Sequence, residues 1–523
     1  MLCSKCQRTL PSDINTSTLP PDFPVSHLLT TNDPPNKHQS EIIDGELARS
    51  RANLRSLDDE IAEAQKHLLG LQAMRASSQI FVDKLASLHI RRLPTELLVR
   101  AFMLTLPREP SLFQPGEAPL VLGQVCRLWR AVSRSTPLLW STIRIKTIKT
   151  EDCRVAVLEW LERSRLCPLT VHAELVDGPE WGILTGIAAR IEHLHTKVNH
   201  DKLAQLFFVH GCHSLDALQS LRLELTDWWE NPEFKGLTQI DLGTQAPRLA
   251  RIRIDFQLTL QRLILPSTQI TTCDLGVNDT TSFTSFLQEA VNLVDCTIAI
   301  DSFNADVSPR FPVRHTTLER LSIYVFQHPD CDVLGPILPY LDLPSLHDFS
   351  WSNRGHLDFD SFHPSERFPQ WPTAIFLDFL SRSGCTLSRL WINRGPTEDD
   401  ILRYLLEVPS VVDLQIGPVP FQRCPRKLMR GLTLRNHSGS DEKDLVPNLE
   451  NLTIRGKWRE CEEMMQAIES RFRAAGDMSE RRRLKSVTLG TVLVEDNALS
   501  NTQERLDRCV REGLLYDTVK WPK

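Results

Sequence analysis

The chain has 523 residues, long enough for about three or four domains of ordinary size and for a substantial buried core. Hydrophobic residues make up 41% and charged residues 24%, ordinary globular shares that exclude wholesale disorder. Sixty basic against 66 acidic side chains leave a net charge of −6, so the chain as a whole lacks the cationic surplus that generic binding to a phosphate backbone requires, and no nucleic-acid partner is expected.

No apolar run approaches the roughly 18 to 20 residues of a membrane span, and the opening Met1–Cys6 has no basic-then-apolar signal pattern. No membrane role is therefore expected. The 13 cysteines are odd in number and scattered from Cys3 to Cys509, which fits reduced thiols in the cytoplasm or nucleus better than a disulfide framework.

Residues 1–40 carry six prolines among Ser, Thr and Asn, too little apolar mass to offset the entropy of ordering, and are expected to form a flexible tail. Residues 41–89 contain no proline and repeat every seven residues: Leu47, Leu54, Ile61, Leu68 and Val82 in one register, Ile43, Leu57, Ala64, Leu71 and Leu85 in the other. This is a heptad seam of about six repeats, interrupted at Ser50, Arg75 and Ser78. Two outcomes stay open: self-association through residues 43–85, or packing of one amphipathic helix against the protein's own body.

Residues 90–145 predict a small three-helix bundle. Pro94 precedes Thr95–Phe102, and proline suits a first helical turn, where its missing N–H would be unpaired anyway. After a loop broken by Pro107, Pro110, Pro115 and Pro119, Val125, Trp129 and Val132 recur at helical spacing beside Cys126, Arg127, Leu128 and Arg130. Thr136-Pro137 then offers a hydroxyl cap ahead of an N1 proline, with Leu138, Leu139 and Trp140 as bulky apolar cargo.

Residues 150–523 contain an irregular repeat in which a large aliphatic residue is followed by another three on, and then by alternation. Clear copies are Leu218/Leu221/Leu223/Leu225, Leu249/Ile252/Ile254, Leu318/Leu321/Ile323/Val325, Leu387/Leu390/Ile392, Leu449/Leu452/Ile454 and Leu484/Val487/Leu489. Weaker copies are Ile191/Leu194, Leu293/Ile298, Leu346/Phe349 and Val411/Leu414/Ile416. Helix-like stretches at Trp371–Ser383, Glu398–Glu407 and Cys461–Arg473 separate several of them. A short strand with alternating apolar residues cannot hide that face alone, so stacked neighbours with outer helices are expected, an irregular leucine-rich-repeat-like solenoid. The fold class is α/β. A doubly wound alternative would bring a Gly-rich phosphate loop, which is absent.

Catalytic and metal motifs are weak. Cys3/Cys6 has zinc-ligand spacing but no second pair within reach, and His193, His195, His200, His210, Cys212 and His213 read as surface histidines of helices and loops. Neither a nucleophile elbow nor an H-E-x-x-H pattern occurs. The acids Asp58–Glu60, Glu398–Asp400 and Glu462–Glu463, and the bases Arg481–Arg483, read as solvated faces. No catalytic residue, metal or cofactor is expected. Trp228, Trp229 and Trp351 stand as either binding anchors or core.

The ordered set Leu93-Pro94-Thr95-Glu96-Leu97-Leu98 with Phe102, then Val125-Cys126-Arg127-Leu128-Trp129-Arg130, then Pro137-Leu138-Leu139-Trp140 resembles the F-box. Members of that family dock on the Skp subunit of a cullin–RING ubiquitin ligase and hold a protein target, here of unknown identity, with their C-terminal part. The resemblance thus implies an adaptor of SCF type. Its Skp-contacting residues would be Leu93, Pro94, Glu96, Leu97, Leu98, Phe102, Val125, Cys126, Arg127, Trp129, Arg130, Leu139 and Trp140. The alternative is a heptad-driven oligomeric scaffold with no ligase role.

Overall fold

The computed structural model describes residues 24–29, 31–90, 93–108, 110, 114–146, 150–175, 180–199, 215–226, 239–254, 258–300, 312–325, 334–353, 372–393, 396–417, 425–434, 444–455, 462–473, 483–490 and 499–518. It is an α/β chain of two units, residues 1–98 and 99–523. No described helix is long and apolar enough to cross a membrane.

The first unit is dominated by one helix, α1 (Lys37–Ile90), of 54 residues. It begins four residues earlier than the heptad pattern places it, inside the expected tail, because Asn36 and Gln39 cap each other. The Asn36 N–H donates to Gln39 Oε1 and the Gln39 N–H to Asn36 Oδ1, both at 2.9 Å, a reciprocal box that satisfies two backbone donors at once. Ser26–Leu29 of that stretch is a 3₁₀ turn, while residues 1–23 lie outside the described residues. Every side chain from Leu47 to Ala86 is exposed, including Leu54 at 60%, Ile61 at 54% and Leu68 at 54%. The seam is present and uncovered. Helix α2 (Thr95–Leu104) follows, and the boundary between the units falls within it.

The second unit holds short helices α3 (Leu122–Val125) and α4 (Arg127–Ser135), then a main sheet of fourteen strands, with two small two-stranded sheets among the described return segments. The strands are β1 (Thr142–Ile145), β2 (Leu169–Leu175), β3 (Ile191–Val198), β4 (Ser220–Leu225), β5 (Arg251–Ile254), β6 (Thr272–Gly276) and β7 (Asp295–Ile300). They continue with β8 (Arg320–Val325), β9 (Asp348–Asn353), β10 (Arg389–Asn393), β11 (Asp413–Ile416), β12 (Asn451–Ile454), β13 (Ser486–Leu489) and β14 (Leu515–Thr518). All fourteen form one parallel sheet whose spatial order is the chain order. A doubly wound sheet reverses its order at a switch point; this one never does.

In-register pairing stacks equivalent residues. Ile143, Val171, Leu194, Leu221, Ile252, Cys273, Cys296, Leu321, Phe349, Leu390, Leu414, Leu452 and Val487 form one buried column. Two residues on, a second runs from Ile145 through Leu223, Ile254, Leu275, Ile298 and Ile323 to Leu489. Each such aliphatic contributes about 1.5 to 3 kcal/mol by leaving water. All ten repeat copies read from the sequence are strands of this sheet. Four strands were not read: β1, β2, β6 and β14. Trp351 stands in the second column at 6% exposure, so it belongs to the core rather than to a binding face, while Trp228 and Trp229 lie outside the described residues.

The return helices close over the buried face. Phe349 meets Phe376 and Phe379 of helix Thr373–Ser383, and Phe376 meets Tyr404 of helix Glu398–Glu407 edge-on at 4.9 Å. Gly384 ends the first of these helices at φ 57°, the left-handed position that favours glycine. Three arginines tie return segments to neighbouring backbone. Arg190 bonds Cys167 O and Ser164 Oγ, Arg382 bonds Leu338 O and Leu341 O, and Arg471, 1% exposed, bonds the carbonyls of Leu432, Leu445 and Val446. These cations satisfy carbonyls that chain ends leave open.

The last coil is latched by Arg505, whose Nη2 lies 2.7 Å from Glu469 and Nη1 2.7 Å from Glu462. The Arg505 hydrogen bond holds the Glu469 carboxyl below its ordinary value. A lowered folded pKa stabilises above the unfolded value of about 4.3 and is lost as pH falls through the folded one. Glu469→Gln is therefore expected to lower stability by about 1 kcal/mol at neutral pH, with the gap to wild type closing as the pH drops below about 4. Urea midpoints measured across that range check it.

Candidate interaction site

The three-helix segment is assembled by local hydrogen bonds that differ from the sequence expectation. Pro94 immediately precedes α2, where its carbonyl accepts the Leu98 N–H at 3.0 Å. The expected second helix is broken in two, because Cys126 is extended (φ −159°, ψ 172°) and its thiol accepts the Trp129 N–H. Cys126 is thus the N-cap of α4, and Val125, on α3, does not share a helix with Trp129 and Val132. Arg130 Nε donates to Gly123 O at 2.7 Å and holds the two pieces together. Pro137–Trp140 is a 3₁₀ turn, and the Thr136 hydroxyl caps backwards, donating to Val132 O at 2.7 Å, rather than forwards.

These changes sort the thirteen candidate residues. Leu98, Phe102, Leu139 and Trp140 are 0 to 2% exposed, so they are core and leave the list of surface contacts. Phe102 packs edge-on to half-buried Trp129 at 4.8 Å. Cys126 is half-buried, whereas Arg127, Arg130 and Val125 are exposed. In the first unit Leu93, Pro94, Glu96 and Leu97 are exposed. Sequence reasoning missed Met103, Leu104, Leu128 and Leu138, all exposed, Leu104 at 83%. Leu138 was hidden by the turn type: at three residues per turn it points away from Leu139 and Trp140.

Trp140 also closes the first coil of the sheet. Its indole donates to Ser133 O at 2.8 Å, its ring meets Trp160 edge-on at 4.9 Å, and the Arg163 guanidinium lies over it at 4.7 Å. Trp160, from helix α5 (Glu151–Arg163), donates to Trp140 O and Thr142 O. The sheet therefore starts at Thr142, inside the region expected to be a separate bundle.

The sheet's other face carries no helix-facing aliphatics. Its middle column reads Arg144, His172, His195, Arg222, Arg253, Asp274, Thr297, Ser322, Ser350, Trp391, Gln415, Thr453 and Thr488. The adjacent column reads Asp295, Arg320, Asp348, Arg389 and Asp413 across β7 to β11. That second run alternates in sign and neutralises itself, with Arg320–Asp295 at 3.0 Å, Arg389–Asp348 at 2.7 Å and Arg389–Asp413 at 3.3 Å. The β1–β5 end does not alternate: Arg222 stands directly opposite Arg253.

Glu224 serves three of these groups: His195 Nε2 at 3.1 Å, Lys197 Nζ at 3.1 Å and Arg222 Nη2 at 2.7 Å. Burial pushes its carboxyl up, but the hydrogen bonds from Lys197 and His195 and the charge of Arg222 outweigh it and hold the group low. Glu174 is held low chiefly by its 2.6 Å bond to Arg144. His172 Nδ1 and His195 Nδ1 are 3.3 Å apart. One of these two ring nitrogens therefore donates to the other.

The remaining sequence candidates resolve into structure. His193 and His195 sit on strand β3, not on helices or loops, and burial lowers the His193 pKa; His200, His210, Cys212, His213, Cys3, Cys6, Arg481 and Arg482 lie outside the described residues. Asp400 closes a capping box with Thr397, Asp399 pairs with Lys427 and Glu463 with Arg430. Arg483 stacks on Phe472 at 3.9 Å. Cys273 and Cys296 touch in the core, and the Cys273 hydrogen bond and burial keep the Cys296 thiol protonated. No cluster of metal ligands occurs among the described residues.

No protein-family model matches the chain, and no curated protein matches it. The Trp140–Trp160 closure makes a direct prediction. Trp160→Phe, which keeps a ring but removes the indole donor, should cost about 1 to 2 kcal/mol, and Trp160→Ala about 3 to 5 kcal/mol, read as shifts of the urea midpoint.

Proposed function

We propose that the chain is a non-catalytic substrate-recognition adaptor of a Skp/cullin–RING ubiquitin ligase. In this reading the Leu93–Trp140 segment is an F-box that docks on the Skp subunit, and the sheet is an irregular leucine-rich-repeat-like solenoid that holds a protein target. The observation that carries it is the division of labour within that segment. Phe102, Trp129, Leu139 and Trp140 hold the helices together, and Leu104, Val125, Leu128 and Leu138 remain exposed, Val125 and Leu128 next to Arg127 and Arg130 along the chain. Exposed aliphatics framed by charge match the apolar centre and polar rim of specific interfaces. The motif order supplies the identity of the partner, and the sheet supplies a broad face on which a target can rest.

The test is capture of a purified Skp-type adaptor by the full chain. Val125→Asp with Leu128→Asp should weaken capture at least about tenfold, the effect of some 1.4 kcal/mol. Val291→Asp, at an exposed apolar site on the sheet's return side, should not. Absence of capture by the wild type, with a native circular dichroism spectrum, would refute the adaptor reading.

A second reading, self-association through α1, is favoured by the uncovered seam from Leu47 to Val82. A helix this long with an apolar stripe is most stable when a partner covers the stripe. Sedimentation equilibrium should then report a dimer that Leu54→Asn, Ile61→Asn and Leu68→Asn together convert to a monomer, with the sheet still folded. A wild-type monomer at micromolar concentration would rule it out.

A further inference from the structure

The same sheet shows how charge is arranged when it only has to be stable. Across β7 to β11 each Arg stands beside an Asp, and the ladder closes on itself. Across β1 to β5 the middle column runs Arg144, His172, His195, Arg222, Arg253, five adjacent positions with no acid among them. Neighbouring strands are about 4.8 Å apart, and like charges directly opposite one another are destabilising. Arg222 and Arg253 are 47% and 57% exposed, more than any other described residue in that column.

Among the described residues of these five strands and their flanks, Arg144, Lys146, Lys197, Arg222, Arg251 and Arg253 stand against Glu174, Glu192 and Glu224. The next acid, Asp274 on β6, takes Arg253 Nε at 2.6 Å and ends the run. A cationic patch on a chain of net charge −6 is set against the protein's own balance. Arg222 holds Glu224 and Arg253 holds Asp274, and the fork of a guanidinium fits a carboxylate in two-point fashion.

We propose that this basic face, centred on Arg222 and Arg253, binds an acidic, extended peptide segment of a protein partner, laid across β1 to β5. The inference rests on the adaptor reading for its biological sense, since it names the chemical class of the target. A peptide fits better than a nucleic acid: Glu174 and Glu224 interrupt the patch at intervals. A continuous phosphate backbone would meet both carboxylates, whereas side-chain carboxylates on an extended peptide, spaced by about 6.8 Å on one face, can fall between them.

The experiment uses the full chain and a fluorescein-labelled peptide of alternating Glu and Ser, read by anisotropy. Binding should weaken at least tenfold in Arg222→Gln/Arg253→Gln and be unchanged in Arg389→Gln, which sits in the self-neutralising ladder. Glu224→Gln should tighten binding several-fold by releasing Arg222 and Lys197, a gain that misfolding cannot produce. No binding by the wild type, or equal loss in Arg389→Gln, would overturn the proposal. So would tighter binding of a single-stranded RNA of equal charge that is lost in the same double variant. Peptide binding without Skp capture would leave this site standing and remove the ligase reading; Skp capture without peptide binding would do the reverse.

Discussion

In-register pairing of parallel strands in strict chain order is the constraint from which the second unit follows. Side chains alternate between faces with a period of two, and every strand from β1 to β13 is held in the same phase by its neighbours. One face must then be apolar at two positions per coil, because return segments cover it. The other face has no such duty. Its residues vary from Arg222 to Ser322 to Trp391 without disturbing the column beneath, which is how one framework can carry unrelated specificities. The returns differ in length for the same reason. The step from Ile252 to Cys273 is short and that from Phe349 to Leu390 long, yet both strands keep their register, since extra residues loop out at little cost in closure entropy.

The first coil matters for a different reason. Trp140 belongs at once to the 3₁₀ turn that ends the helical segment and to the aromatic closure over β1, through Trp160 and Arg163. Helix α4 is joined to it by the indole bond to Ser133 O. No free linker separates the helices α3 and α4 from the sheet; the hydrogen-bonded backbone runs straight from one into the other. In the adaptor role proposed above, a docking surface mounted in this way would keep a fixed orientation toward whatever the sheet holds, and presenting two partners to each other at a set distance raises their effective concentration without new contacts.

Much of the fold was legible because it rests on burial, which leaves a periodic trace. Leu387-x-x-Leu390-x-Ile392 and its relatives announce strands wherever aliphatics fill the columns, and the helix-like stretch Glu398–Glu407 is a helix with those bounds, opened by a capping box of Thr397 and Asp400. The strands that escaped were those where other residues do the aliphatic's work. Cys273 stands for a Leu in β6, Trp140 for the leading aliphatic of β1, and half-buried Tyr516 pairs with Val487 at the last strand, β14, which has a single neighbour. The break at Cys126 left no trace because a thiol is not an expected N-cap. The core leucines of the helical segment were confused with its surface ones since a 3₁₀ turn and an α-helix place Leu138 and Leu139 on different sides. The charge ladders were invisible for a deeper reason: Arg144, His172, His195, Arg222 and Arg253 are dispersed over more than a hundred residues and become neighbours only through pairing.

That dispersal bears on how to weigh surface charge. Spread over the whole chain, 60 basic and 66 acidic side chains look like a solvated exterior, and most isolated pairs on such an exterior contribute less than about 1 kcal/mol. Stacking changes the arithmetic. A ladder fixes like side chains at strand spacing, inside the Debye length of about 8 Å at physiological salt, so their repulsion is not screened away. Alternation from Asp295 to Asp413 removes that repulsion; the opposed pair Arg222 and Arg253 leaves part of it in place, with Glu224 shared among His195, Lys197 and Arg222. Two ladders on one backbone, under one set of geometric rules, differ only in sequence. The self-neutralising one has what stability asks for. The other retains an electrostatic cost that an anionic partner would relieve, and that difference, rather than the number of arginines, marks the face as a place for binding.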